Sequence, residues 1–409
     1  MEPTPRTYTT VLAEQENIPS SIPALYVPLP PSHPYTTTNP PPPSTLLYTP
    51  NHPTPTPTES QYLLKIQTTA LCRGELGWAE TLSPPPQHNQ IRSSSSSSRQ
   101  PDEILKRIPG HDISGIILST PQTDTHSITG PKFKVGDEGE LAFKPRNVSA
   151  VEAACLPLSG LTGWQAIFEG AGVKGWVGYS DGDSDEEEWR REWEKEKEKE
   201  KERVKRVLVL NASGGVGVMV CQLLRAKMLF GEEAGKGKGS GSGSGRFWVC
   251  GVCSGRNEEF VRGQLGVDEV LDYTKEREGL AEAFRKRGWE PVDLVVDCIG
   301  GETLRQAHDA AVVRDGGIVV SAAQPVPERE PEWAGVRDAI AKRGLTSRFF
   351  IVRPDGEQLE KIALLVEKGE LRPFVEREME LYQGREAMEL VESGRVRGKV
   401  VLRVNSYDR

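Results

Sequence analysis

The stretch Arg206–Lys227, RVLVLNASGGVGVMVCQLLRAK, decides the fold. Val207 to Leu210 is a run of apolar residues, which suits a strand buried on both faces. Asn211-Ala212-Ser213-Gly214-Gly215-Val216-Gly217 follows at once. Val218 to Lys227 then reads as a helix with Val220, Leu223 and Leu224 on its inward side. Gly214, Gly215 and Gly217 have no Cβ, so the backbone can turn tightly and a ligand can come close. A helix start points unpaired N–H groups and a partial positive charge at that spot, which suits a pyrophosphate held by Ser213, Gly214, Gly215, Val216 and Gly217. Ala212 stands where a clean GxGxxG has its first glycine. The order strand, glycine turn, helix supplies the context that a lone glycine cluster lacks.

Further strands follow that unit. Phe247–Val252, Val267–Tyr273, Val292–Asp297, Gly317–Ser321 and Arg348–Val352 are short apolar runs, mostly separated by helical stretches. Strands alternating with helices predict a doubly wound parallel sheet of the α/β class. Upstream, Tyr62–Gln67 alternates apolar and polar residues like a half-buried strand. Ala70–Leu76 is read as the loop after it. Ile108–Ile117 is a turn running into a strand, and Phe133–Glu138 is a second turn. Val151–Gly170 has helical spacing broken at Pro157.

Several stretches carry no core signal. Residues 1–60 are rich in proline and threonine, and are expected to run extended without a packed core. Residues 83–101 (SPPPQHNQIRSSSSSSRQP) read as a disordered insertion. Residues 180–206 mix acids and bases without an apolar stripe, which makes them a solvated insertion. Gly235–Gly245 is a Gly/Ser/Lys linker.

The 409 residues are enough for two domains, and the net charge of −8 disfavours nucleic acid and anionic membrane partners. No apolar run approaches the roughly 20 residues of a membrane span. The N-terminus has neither a signal core nor an Arg-rich amphipathic pattern, so a cytoplasmic location is expected. The six cysteines lack metal-finger spacing, and the pair Cys250/Cys253 reads as free thiols on a strand.

In this order the motifs resemble the medium-chain dehydrogenase/reductase superfamily, in its zinc-free, quinone-oxidoreductase-like (enoyl reductase domain) branch. The matching pieces are IPGHDISGII, FKVGDE, AACLPLSGLTGWQAIF, VLVLNASGGVGVMVCQLLRAK, CSGRN, VDEVLDY, VDLVVDCIGG, DGGIVVS and GELRPFVEREMELYQGREAMELVESGRVRGKVVLRV. The resemblance implies a GroES-like β domain over 1–170 and a Rossmann dinucleotide domain over 207–340. A charged insertion at 171–206 and a flexible one at 231–245 interrupt them, and 341–409 returns to the catalytic domain. It places the active site in the cleft between the domains. Homodimers are common among the proteins resembled, and the sequence leaves the oligomeric state open. One departure concerns Gly136-Asp137-Glu138, which runs almost directly into Gly139–Pro145. Strands that build the cleft wall in the family are missing there. The β domain is truncated, or the gene model lost a piece.

The cofactor expectation rests on the end of the second nucleotide-domain strand. NAD sites place an acid there for the ribose 2′-hydroxyl, and NADP sites replace it. The chain has Val252-Cys253-Ser254-Gly255-Arg256-Asn257 instead. Ser254 can donate a hydrogen bond and Arg256 a bidentate charged one. By resemblance Tyr273 lines the same phosphate, Cys298 and Ile299 flank the adenosine ribose, and Ser321, Phe350 and Ile351 lie near the nicotinamide. NADPH is therefore expected over NADH.

Zinc is tempting because Cys72 and His111-Asp112 match two ligand positions of the zinc alcohol dehydrogenases. The third falls on Leu158, and Cys155 lies three residues early. A catalytic zinc wants three protein ligands, so none is expected, and His111 is assigned a structural hydrogen bond. The expected reaction is hydride transfer from NADPH to a quinone or an α,β-unsaturated carbonyl. Candidates on the catalytic side are Arg73 and, by resemblance beside the cofactor, Thr162, with Trp78 as a pocket wall. The alternatives are a catalytically weak NADPH-binding sensor or partner module, and a zinc-dependent alcohol dehydrogenase.

Overall fold

The computed structural model describes residues 18–29, 35–57, 62–78, 105–119, 141–175, 205–231 and 247–404. The expected insertion at 83–101, most of those at 171–206 and 231–245, and the turn Phe133–Glu138 lie outside these residues. The chain forms two compact units. Of the described residues, one holds 141–147 and Leu156–Phe374. The other holds those between 18 and 119, Val148–Cys155, and those from Val375 to 404.

The N-terminal strands belong to the second of these units: β1 (Ser21–Leu29), β2 (Leu47–Pro53), β3 (Leu63–Leu71), β4 (Leu105–Arg107) and β5 (Asp112–Ser119). Strand β1 pairs antiparallel with β2 and then with β4. Its register slips between Ile22 and Ala24, at Pro23, which has no N–H to give the ladder. The expectation that residues 1–60 carry no packed core is corrected here. Leu25, Val27 and Leu46 are buried in one cluster with Leu71, Leu76, Val400 and Leu402. Full burial of a Leu or Val contributes roughly 1.5–3 kcal/mol, enough to hold a proline-flanked strand in place. The short helix α1 (Ala150–Ala153) is capped by Ser149, which accepts from Glu152 N while the Glu152 carboxylate accepts from Ser149 N.

The other unit begins with α2 (Pro157–Gln165), which ends in a wide turn over Ala166–Gly170. Then come β6 (Arg206–Leu210), α3 (Gly215–Leu223), α4 (Lys227–Phe230), β7 (Trp248–Cys253) and β8 (Glu269–Asp272). They are followed by α5 (Leu280–Arg287), β9 (Val292–Asp297), α6 (Gly301–Ala307), β10 (Val313–Ser321), α7 (Ala334–Arg343), β11 (Thr346–Phe349) and α8 (Gly356–Glu367). The sheet runs β11-β10-β9-β6-β7-β8, every pair parallel, which is the Rossmann order. Val207, Leu208, Val209 and Leu210 are fully buried, as a central strand covered on both faces requires. Helix α3 begins at Gly215, three residues earlier than expected, and its last residue is Leu223 rather than Lys227. Helix α2 lies on α3 through Gly163, where a Cβ would stand 3.3 Å from Met219 Cβ. That close packing accounts for its place in this unit. The sixth strand ends at Phe349, so Phe350–Val352 lie beyond it.

The chain returns to the β unit with β12 (Val375–Glu380), α9 (Gly384–Glu392) and β13 (Lys399–Arg403). Strand β13 sits between β12 and β3, with β5 on the far side of β3. Ala387, Met388 and Val391 form the buried stripe of α9.

Candidate cofactor site

The strand order reverses at β6, which has β7 on one side and β9 on the other. In open parallel sheets that switch point leaves a crevice beyond the carboxyl ends of the strands. The turn leaving β6 opens with Asn211 at φ 58°, the only non-glycine with positive φ among the described residues. Asparagine tolerates that conformation better than most residues. Ala212 N donates to Val252 O at 2.9 Å, and Gly214 N donates to Asn211 O at 3.0 Å. Gly214 is the N-cap of α3, and no side chain caps the helix. The amides of Gly215, Val216 and Gly217 occupy the first turn, where N–H groups have no intrahelical acceptor. A Cβ on Gly217 would stand 2.2 Å from Asn211 O. Helix and turn are therefore as close as backbone permits. Uncapped amides at the start of a nine-residue helix fit a dinucleotide diphosphate.

The rim of this turn is built by the end of β7. Ser213 is buried, and its Oγ accepts from Asn257 Nδ2 at 3.0 Å. Asn257 N in turn donates to Ser254 O at 2.8 Å. Ser254 is half-buried and Arg256 is exposed at the tip of the same turn. No carboxylate belongs to the turn itself, but Asp272 at the end of β8 lies under it. A Cβ on Gly255 would meet Asp272 Oδ2 at 2.4 Å. That carboxylate accepts from Thr274 N at 3.0 Å and Thr274 Oγ1 at 2.7 Å, with Lys275 Nζ 3.2 Å away as an ion pair. Burial pushes its pKa up, but these partners together hold it below the ordinary value. Tyr273 beside it is exposed.

A second network closes the ends of β9 and β10. The buried Asp297 accepts from Ile299 N and Gly300 N at 3.1 Å and from Ser321 Oγ at 2.6 Å. Ser321 Oγ accepts from Ala323 N and Gln324 N, and Gln324 Oε1 accepts from Gly301 N. The Ser321 proton is thus committed to Asp297, and its hydroxyl shapes the turn. Ile299 is exposed, while Cys298 is half-buried with its thiol pKa pushed up by burial. Phe350 N donates to Ser321 O at 3.2 Å, and Ile351 is 76 % exposed. Ser213, Ser254, Arg256, Tyr273, Cys298, Ile299, Ser321, Phe350 and Ile351 thus all lie at carboxyl strand ends of one sheet or just beyond. Asn257, Asp272 and Asp297 were not among the expected residues. An acid closing a parallel strand before a Gly-Gly pair was the available signal for Asp297.

The two catalytic candidates lie in different units. Thr162 is buried on α2, and its hydroxyl donates to Leu158 O at 2.6 Å within the helix. Arg73 is exposed just after β3, near Gly394. The ring of Trp78 lies 5.3 Å from that of His111.

The two positions that match zinc ligands, Cys72 and His111, have protein partners. His111 Nδ1 is 2.8 Å from Glu75 Oε1, and Cys72 N and Gly110 N also donate to the buried Glu75 carboxylate. Burial raises the Glu75 pKa, but the hydrogen bonds, that of His111 foremost, bring it below the ordinary value. Cys72 Sγ lies 2.7 Å from Lys399 Nζ, and Lys399 Nζ is 2.6 Å from Asp112 Oδ2. An ammonium stands here beside the thiol. Cys155 is buried in an apolar cluster with Ala70, Ala154 and Val401. Among the described residues no group of three or more His, Cys, Asp or Glu side chains could hold a metal ion, so these residues do not fit a catalytic zinc.

Comparison with known proteins places this architecture. A family model described as zinc-binding dehydrogenase matches residues 265–402. A probable zinc-binding oxidoreductase, mitochondrial, of Arthroderma benhamiae is 32% identical over 385 residues, covering 88% of this chain and 94% of the relative. The chain belongs to the medium-chain dehydrogenase/reductase superfamily, in its quinone-oxidoreductase-like branch. It is an oxidoreductase of that type. The human NAD(P)H oxidoreductase RTN4IP1, mitochondrial, is 27% identical over 329 residues, covering 72% of this chain and 70% of the relative. The quinone oxidoreductase from Coxiella burnetii shares the fold at TM-score 0.61 and 22% identity, covering 94% of this chain and all of its own. The cytoplasmic expectation is corrected by these relatives, of which the fungal and human ones are named mitochondrial. A missing signal pattern near the N-terminus was too weak a ground for a compartment.

Proposed function

We propose that this protein is a zinc-independent, mitochondrial reductase that uses NADPH to reduce a quinone or an α,β-unsaturated carbonyl compound. The glycine turn fits a nicotinamide dinucleotide. One observation favours NADPH. The turn after β7 offers Ser254 and Arg256, and the carboxylate that lies under it, Asp272, is engaged by Thr274 and Lys275. A 2′-phosphate meets a donor and a cation there, whereas a bare 2′-hydroxyl finds no acid within the turn itself. Bound, the cofactor supplies a hydride. The chain's residues hold its diphosphate on the α3 amides and fix the adjoining turns through Asp297 and Ser321.

The acceptor class follows from chemistry that needs no metal. Quinones and conjugated enones take a hydride at an electron-poor carbon, and hydrogen-bond donors can stabilise the developing oxyanion. The names of several relatives run parallel, among them a 2-methylene-furan-3-one reductase of Solanum lycopersicum and a chloroplast envelope quinone oxidoreductase homolog of Arabidopsis thaliana. The test is NADPH oxidation by the full-length protein with 9,10-phenanthrenequinone and a panel of enones. Turnover with NADPH supports the reading. Binding without turnover on every acceptor would favour a sensor or partner module.

A further inference from the structure

Lys399 opens β13 and Cys72 follows the last residue of β3. The two strands are antiparallel with Val400 opposite Leu71, so one step further along the register sets Lys399 opposite Cys72. The backbone ladder brings the two side chains together, although they lie 327 positions apart. Nζ and Sγ are 2.7 Å apart. That is the short end of the roughly 2.7–3.2 Å that separates donor and acceptor when the acceptor is oxygen, and sulfur is the larger atom. Asp112 Oδ2 accepts from the same Nζ at 2.6 Å, and both partners of this ion pair are buried. The proposed function uses neither Lys399 nor Cys72.

We propose that Lys399 and Cys72 are the two ends of a reversible oxidative crosslink, an N–O–S bridge from Nζ to Sγ. The oxidant is a peroxide. Two molecules of hydrogen peroxide react with the thiol, the ammonium and the Asp112 carboxylate. The products are the S–O–NH bridge, a protonated Asp112 and three waters. Sulfur and nitrogen each give up two electrons, and each peroxide accepts two. The S–H bond, two N–H bonds and both peroxide O–O bonds break, one S–O and one N–O bond form with the O–H bonds of the waters, and one ammonium proton passes to Asp112. Asp112 is well placed for this, because the bridged nitrogen is too weakly basic to remain its cationic partner. Burial holds the Cys72 thiol protonated, and the thiolate is the reactive form. The bridge therefore accumulates slowly, as a record of oxidant exposure rather than a rapid sensor.

The test is a peptide map of the full-length protein after exposure to hydrogen peroxide, without reductant. Trypsin releases Cys72 in the fragment 66–73, and a blocked Lys399 leaves the fragment 398–403 uncut. The expected product joins these two fragments with a net gain of about 14 Da, one oxygen in and two hydrogens out, where a sulfenic acid gains about 16 Da. Dithiothreitol should separate the fragments, and Cys72→Ser and Lys399→Arg should not form the product. Cys72 recovered only as thiol, as sulfenic, sulfinic or sulfonic acid, or in a disulfide would overturn the proposal. The wild-type map decides the matter even if either variant folds poorly.

Discussion

Gly217 lies so close to Asn211 that a Cβ on it would stand 2.2 Å from the Asn211 carbonyl oxygen. Nothing flexible occupies that contact, since the obstructing atom is backbone. Gly217→Ala gains up to about 1 kcal/mol in helix propensity, but the clash displaces the start of α3 at a cost of about 1–3 kcal/mol. The expected outcome is a lower melting temperature and NADPH binding weakened about tenfold, equivalent to about 1.4 kcal/mol. Calorimetry and fluorescence titration check both. Unchanged affinity would mean that the α3 amides do not hold the diphosphate.

On the proposed reading, Arg256 carries the cofactor preference. Arg256→Asp would then remove a charge-assisted hydrogen bond to the 2′-phosphate, worth about 1.5–3 kcal/mol. The NADPH dissociation constant should rise roughly ten- to hundredfold while that for NADH moves little. Parallel titrations with both cofactors check this. An unaltered NADPH/NADH ratio removes Arg256 from the site.

Metal analysis of the purified protein should find far less than one zinc per chain, and chelator treatment should leave quinone reduction intact. The ligand positions are spent on the pairs His111–Glu75 and Cys72–Lys399. Stoichiometric zinc together with chelator-sensitive activity would restore the alcohol dehydrogenase alternative.

Glu75 makes stability depend on pH. Its pKa in the folded protein is below the ordinary 4.5. Its stabilising contribution is therefore fully present above about pH 4.5 and is lost as pH falls through the folded value. Glu75→Gln should cost about 1.5–3 kcal/mol at pH 7, and the difference from wild type should shrink below about pH 4.5. Thermal melts across that range check the sign. A penalty that grows on acidification would contradict it.

Lys399 and Asp112 form a buried pair, so removing one partner is more damaging than removing both. Lys399→Met should destabilise the protein by about 3–5 kcal/mol, because Asp112 is left buried without its cationic partner. The double variant Lys399→Met/Asp112→Asn should recover much of that loss. Denaturant unfolding of the two variants measures the difference, and equal losses would rule out the coupling.

The nucleotide-binding unit was legible because parallel strands are continuous apolar runs, and Val207–Leu210 followed by a glycine turn has few other readings. The β unit was harder to read. The apolar residues of SIPALYVPL are diluted by the prolines around them, so composition over 1–60 concealed Leu25 and Val27, which the core of β1 and β13 buries. Ser254 and Arg256 could be proposed from the end of the second strand, whereas Tyr273, Cys298, Ile299, Ser321, Phe350 and Ile351 rest on the family resemblance. What joins them could not be named, because the hydrogen bonds of Asn257 to Ser213 and of Asp297 to Ser321 depend on which strands become neighbours. The Cys72–Lys399 contact is set by register between distant strands, for which no local pattern exists.

A single titration tests the central claim most directly. The full-length protein is titrated with NADPH and, separately, with NADH, and cofactor fluorescence is followed to saturation. The expected result is stoichiometric, saturable NADPH binding at least about tenfold tighter than NADH, a gap of about 1.4 kcal/mol. No saturable NADPH binding, or NADH bound equally or more tightly, would contradict it.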